Sequence, residues 1–138
     1  MVEPTSTKPP VMPVAVLLVD DERPLIELFA EVLSSEFHCD LATSTKQAGE
    51  MMQKKKYRVV ISDFSMPGGD GLSFLIKVRK QYPDTARILV THYLSPEFMT
   101  RLDAAAPEHY LLKPVSIPDL RKAVRDAARP HDRAETAS

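Results

Sequence analysis

Three short apolar runs in this chain stop at charged residues. Val14 to Val19 closes on Asp20 and Asp21, Val59-Val60-Ile61-Ser62 on Asp63, and Tyr110-Leu111-Leu112 on Lys113. A continuous apolar run of this length leaves no face for water, so it reads as a strand buried on both sides, the condition of parallel sheets covered by helices. In open α/β sheets, ligands collect beyond the carboxyl ends of the strands. The pattern therefore predicts three carboxylates and one ammonium converging along one edge of a sheet.

The intervening chain supplies the helices. Pro24 suits an early helical position, and Leu25, Ile26, Leu28, Phe29, Val32 and Leu33 recur at helical spacing, predicting a first helix ending near Ser35. Cys39 to Ala42 reads as a short second strand, and Thr45 to Lys55 as a polar helix with Ala48, Met51 and Met52 on one face. Lys54, Lys55 and Lys56 finish that helix, where cations complement its dipole. The third strand is Val59 to Asp63, followed by a Pro67-Gly68-Gly69-Asp70-Gly71 loop and a helix from Leu72 to Gln81. Ile88 to Thr91 reads as a fourth strand, and Ser95-Pro96-Glu97 as the cap of a helix running to Ala105. Tyr110 to Leu112 is the fifth strand, and Ser116-Ile117-Pro118-Asp119 opens a final helix with Leu120, Ala123, Val124 and Ala127 inward. Strand and helix alternate five times, which predicts an α/β domain with a parallel sheet between two helical layers.

The domain is expected over residues 14–129, between a flexible leader at 1–13 with four prolines and a polar tail at 130–138. With 43% hydrophobic and 27% charged residues, the 138-residue chain has the composition of one ordinary globular domain. A net charge of −1 gives no global attraction to nucleic acid. No apolar stretch is long enough to span a membrane, and no signal-peptide core is present, so a cytoplasmic protein is expected. Cys39, the sole cysteine, excludes an internal disulfide and reads as a small buried hydrophobe.

Asp20, Asp21 and Asp63 would repel one another if brought together without a positive partner. Oxygen ligands without His or Cys point to Mg²⁺ or Mn²⁺, whose remaining waters a phosphate can replace. Carboxylates also serve as nucleophiles that form aspartyl phosphates, with metal and lysine charge stabilising the transferring group. A lone Asp-Asp is more often a helix cap, and a lone Lys-Pro a turn; the conjunction points to phosphoryl chemistry.

Four segments carry a family likeness: Val19-Asp20-Asp21-Glu22, Asp63-Phe64-Ser65-Met66-Pro67-Gly68-Gly69-Asp70-Gly71, Leu89-Val90-Thr91 and Tyr110-Leu111-Leu112-Lys113-Pro114. In this order and spacing, the chain from Val14 to Ala128 resembles the CheY-like receiver domain of two-component response regulators. The resemblance implies a flavodoxin-like (βα)5 doubly wound sheet of five parallel strands in the order 2-1-3-4-5. It implies that Asp63 accepts a phosphoryl group from a sensor histidine kinase or a histidine phosphotransfer protein. By the same resemblance, Asp21 and Asp63 ligate Mg²⁺ directly, with Mn²⁺ as a substitute, Asp20 assists through a water, and the backbone carbonyl of Ser65 is a further ligand. Lys113 would pair with the phosphoryl group and Thr91 donate its hydroxyl to it, with the Lys113-Pro114 bond cis. Thr91 and Tyr110 would act as the switch that alters the surface of the fourth helix, fifth strand and fifth helix, including a phosphorylation-dependent dimer. Such a domain is not an enzyme toward other substrates; it catalyses only its own phosphorylation and dephosphorylation.

Two positions depart from the pattern. His92 stands where the family has Ala or Gly, and either narrows access to Asp63 or points outward. Ser65 offers no carboxylate or amide at a position that influences phosphate lifetime in the family. A haloacid-dehalogenase-type phosphatase is the nearest enzymatic alternative, but it places its nucleophile in an Asp-x-Asp after the first strand and carries cap insertions. A receiver-like interaction module without phosphorylation is opposed by the retention of every required side chain. A flavodoxin-like cofactor carrier lacks its phosphate loop after the first strand. Only nine residues follow Arg129, so output is expected through a downstream protein target or an output domain missing from this sequence. No direct nucleic acid or membrane partner is expected, although Arg121, Lys122, Arg125 and Arg129 form a basic face that solvent or a partner could cover.

Overall fold

The apolar runs at Val14–Val19 and Val59–Asp63 become strands buried between helices, whereas the third, expected to be buried on both sides, lies at the sheet edge with Tyr110 and Leu112 exposed, because only one strand flanks it. The computed structural model describes residues 14–64, 66, 71–92, 100 and 103–129. The leader at 1–13, the tail at 130–138, Ser65, the loop 67–70 and the helix cap expected at Ser95-Pro96-Glu97 lie outside the described residues. In chain order the elements are β1 (Val14–Val19), α1 (Arg23–Leu33), β2 (Phe37–Ala42), α2 (Thr45–Lys54), β3 (Val59–Asp63), α3 (Gly71–Gln81), β4 (Ala86–Thr91), β5 (His109–Leu112) and a C-terminal helix (Ile117–Ala127). Thr100 and residues 103–105 are also helical, within the helix expected to end at Ala105.

All strand pairs are parallel, in the order β2-β1-β3-β4-β5 expected from the resemblance. The connection reverses direction between β1 and β3, and that switch point opens a crevice at the carboxyl ends of these strands. Two apolar layers sandwich the sheet. Leu17, Val60 and Leu89 face α2 and α3 through Met52, Leu72, Leu75 and Val78. Val16, Leu18, Ile61 and Ile88 face α1 and the C-terminal helix through Ile26, Phe29, Leu33, Leu120 and Val124. Helix ends follow local chemistry: Pro24 sits in the first turn of α1, Ser44 caps α2 by accepting from Gln47 N–H, and Ser116 caps the C-terminal helix by accepting from Asp119 N–H.

Boundaries differ from expectation where long-range pairing overrides local polarity. β2 begins at Phe37, not Cys39, because Val14 and Ala15 pair with Phe37 and His38. β5 begins at His109, and β4 begins at Ala86, two residues before Ile88. α1 stops at Leu33 short of Ser35, with Ser34 Oγ and N–H both donating to the Glu31 carbonyl. α2 stops at Lys54; Lys55 is extended and its ammonium lies 2.9 Å from Asp40 Oδ2. α3 starts at Gly71. Cys39 is half-buried against the α1 layer, as a small hydrophobe would be.

Arg87 explains the early start of β4. Its side chain is buried, with Nε donating to Ala105 O at 2.9 Å, Nη2 to Ala106 O at 3.1 Å and Nη1 to Thr85 O at 3.0 Å. Glu108 lies 3.6 Å away and accepts the Arg87 backbone N–H. Arg79 of α3 donates to Asp103 O and Ala104 O, so two guanidinium groups hold four successive carbonyls at 103–106. On the C-terminal helix, Arg125 is committed to Glu36 at 2.6 Å and Lys122 to Asp126 at 3.0 Å. Among the described residues, no helix is long and apolar enough to cross a membrane.

Candidate functional site

The end of β1 delivers Asp20 into the crevice, held there by its own N–H to Ala42 O and by Glu22 N–H donating to its Oδ1 at 2.8 Å. Asp63 is the last residue of β3. Beyond it, Phe64 N–H bonds Val90 O, and Gly71 N–H returns to Phe64 O at 2.7 Å, folding the start of α3 back onto the strand end. The approach is so close that a Cβ on Gly71 would lie 1.8 Å from the Asp63 carbonyl oxygen. Lys113 follows β5, its N–H donating to Thr91 O at 2.8 Å, and the Lys113-Pro114 bond is cis as expected.

These elements bring four predicted residues together. One carboxylate oxygen each from Asp20, Asp21 and Asp63 lies within 4.8 Å of the others; Asp20 and Asp63 are buried, Asp21 exposed. Lys113 Nζ sits 3.0 Å from Asp63 Oδ1 and 3.2 Å from Asp20 Oδ2. It also reaches Glu22 Oε1 at 3.3 Å, a partner the sequence reading did not assign, although Glu22 directly follows the acidic pair. Thr91 is buried at the end of β4, His92 is exposed beside it, and Tyr110 is 47% exposed on β5. Ser65 lies outside the described residues.

Charge balance defines what the site can hold. Burial raises the pKa of Asp20, the Glu22 N–H pulls it down, and the Asp63 charge raises it again, leaving the carboxyl above its ordinary value. Burial alone would lower the pKa of Lys113, but its bonds to Asp63 and Asp20 outweigh that and push it up to about 12. One ammonium thus faces Asp20, Asp21, Asp63 and Glu22, and negative charge remains in excess. An all-oxygen donor set with surplus negative charge fits a hard divalent cation.

Comparison with known proteins gives this geometry its relatives. Residues 16–125 match the family model described as the response regulator receiver domain. The chain belongs to that family. The receiver domain is 33% identical to the transcriptional regulatory protein PmrA of Pectobacterium parmentieri over 115 residues, 82% of this chain and 51% of that protein. The solved receiver domain of an HD domain-containing protein from Pseudomonas fluorescens Pf-5 superposes with a TM-score of 0.83 at 26% identity, covering 93% of this chain and 96% of that one. The chemotaxis protein CheY4 of Vibrio cholerae superposes with a TM-score of 0.78 at 28% identity, covering 85% and 99%. The chain spans 23% to 53% of the length of the first curated relatives it matches. A receiver is a signalling domain of two-component systems, not a classical enzyme, and its acidic cluster is one that could bind a metal ion.

Proposed function

We propose that this receiver takes a phosphoryl group onto Asp63 from a sensor histidine kinase or a histidine phosphotransfer protein. The observation that carries the reading is the Lys113 ammonium, 3.0 Å from Asp63 Oδ1 and 3.2 Å from Asp20 Oδ2 inside the carboxylate cluster. In the transfer, an Asp63 oxygen forms the new O–P bond while the P–N bond to the donor imidazole breaks, leaving the imidazole to take up a proton. Asp20, Asp21, Asp63 and the Ser65 carbonyl would hold Mg²⁺ or Mn²⁺, which when bound supplies positive charge to the phosphoryl oxygens. Lys113 meets the same oxygens from the β5 side, and Thr91 donates its hydroxyl from the end of β4. Autodephosphorylation reverses the charge gain, so the domain acts on no substrate but itself.

The added charge draws Thr91 and Lys113 together, Tyr110 leaves its exposed position, and the surface around β5 and the C-terminal helix changes for a protein target or a further output domain, or pairs two copies. The working unit is residues 14–129, flanked by the leader and tail, in the cytoplasm. The test is incubation with Mg²⁺ and acetyl phosphate, followed by intact-protein mass measurement. A base-labile phosphoryl adduct that disappears in Asp63→Asn supports the reading; donor hydrolysis without a retained adduct makes the protein a phosphatase, and no reaction makes it an interaction module.

A further inference from the structure

The two helical layers present complementary outer surfaces on opposite sides of the sheet. On one side, Pro24, Glu27, Leu28 and Glu31 of α1 are exposed at helical spacing, a stripe turned away from the buried Ile26, Phe29 and Leu33. Leu28 is 47% exposed, an unusual position for a large apolar side chain flanked by acids. Glu27 is shared with Arg23, and Glu31 has no cationic partner among the described residues.

On the other side, α2 and α3 diverge around a groove of about 680 Å³. Met52, Phe74 and Val78 form its apolar floor, and Lys46 and Lys77 stand on its rim. Gly49 opens it: nothing lies within 4 Å of where its Cβ would be. Lys46, Lys54, Lys56, Lys77 and Lys80 make no ion pair among the described residues, whereas Lys55 is held by Asp40. Glu50 is the opposing charge on the α2 wall.

We propose that the α2–α3 groove receives the α1 stripe of a second copy of this chain, with Leu28 over Gly49 and Glu27 and Glu31 against the rim lysines. The charges match in sign, the exposed leucine matches the missing side chain, and no other molecule is needed to supply either half. Because stripe and groove lie on opposite faces of one sheet, the contact is head-to-tail, and a pair in contact keeps one free groove on one copy and one free stripe on the other. The assembly therefore grows as an open chain and does not stop at a symmetric pair. One helix in one groove is a small interface, so association is weak and carried substantially by charge.

Sedimentation velocity of the full chain, from micromolar to millimolar concentration, tests this. In about 0.01 M salt the mass rises continuously past that of a dimer; in about 0.15 M salt, where the screening length falls from about 30 Å to about 8 Å, association weakens about tenfold. Glu31→Lys and Lys77→Glu each give monomers whose melting curves and acetyl phosphate reactivity match the wild type, and Gly49→Leu gives a monomer of unchanged reactivity that melts somewhat higher, since a helical glycine is replaced in open space. An equal mixture of Glu31→Lys and Lys77→Glu regains association, because the reversed stripe of one variant meets the reversed groove of the other and their two unaltered halves meet each other. A monomer at millimolar concentration in low salt, a fixed dimer untouched by these substitutions, a mixture that stays monomeric, or an oligonucleotide held by the lysines on an otherwise monomeric protein would each overturn the proposal.

Discussion

The same substitution at two helical glycines should move stability in opposite directions. At Gly71 an added Cβ would lie 1.8 Å from the Asp63 carbonyl oxygen and 2.8 Å from its carbon, both backbone atoms that no rotamer change can move. Cβ contacts shorter than 3.0 Å essentially never occur, so α3 must retreat from β3 by more than 1 Å, loosening Leu72 and Leu75 in the core. Overpacking costs about 1–3 kcal/mol, and relief through backbone alone places Gly71→Ala near the upper end. Alanine's helical preference returns at most about 1 kcal/mol, leaving a net loss of about 2 kcal/mol. At Gly49 the added Cβ meets nothing, and Gly49→Ala should gain about 0.5–1 kcal/mol. Urea unfolding separates the two: with a slope of about 2 kcal/mol per molar, Gly71→Ala loses about 1 M in midpoint while Gly49→Ala rises. Because the displaced carbonyl belongs to Asp63, Gly71→Ala should also bind beryllofluoride more weakly, with Gly49→Ala unchanged. A Gly71→Ala midpoint at or above the wild-type value would refute the close-approach argument.

Removal of Mg²⁺ should lower stability by about 1.4 kcal/mol relative to a concentration ten times its Kd; exposed Asp21→Asn should abolish that difference while moving metal-free stability by less than about 0.5 kcal/mol, as read by thermal melts with and without chelator. Arg87→Met should cost about 3 kcal/mol in urea unfolding, because Thr85 O, Ala105 O, Ala106 O and Glu108 lose a buried cationic partner. Asp40 is partly buried, which raises its pKa, but bonds from Tyr57 and Lys55 outweigh burial and hold it below the ordinary carboxylate value. A depressed pKa gives stability that is present above pH 3.8 and lost as pH falls through the folded value. Asp40→Asn should therefore unfold at lower urea than wild type at pH 7, and the two should converge as pH falls through the depressed folded-state value.

β1, β3 and the site edge were legible because burial on both faces leaves an uninterrupted apolar run with its charges at the sheet's rim; β5 gave an apolar run without that burial, with Tyr110 and Leu112 exposed at the edge. That logic located Asp20, Asp63 and Lys113 before any geometry was known. It stops short at Arg87, a charge inside β4, which begins at Ala86 and not at Ile88. The buried guanidinium is tolerated because carbonyls from residues 105 and 106, distant in sequence, satisfy it, and no local pattern announces them. Phe37 and His38 were missed for a related reason: their pairing belongs to β1, not to their own polarity. Glu22 has no role in the sequence pattern, and its contact with Lys113 depends on the fold of β5, about ninety residues away in the chain.

The clamp formed by Arg79 and Arg87 also governs how this molecule can come apart locally. Terminal βα units of a doubly wound sheet are ordinarily candidates for independent opening, detaching while the rest stays folded. Here α3, β4 and the carbonyls at 103–106 share two guanidinium groups, and β5 follows directly. Peeling residues 103–112 away would strip the buried Arg87 guanidinium of Ala105 O, Ala106 O and Glu108, so amide hydrogens of β4 and β5 should exchange with one common free energy. The half of the sheet that carries Thr91 and Lys113 is then a single cooperative unit, and a disturbance entering at one of these residues reaches the other without passing through a looser element.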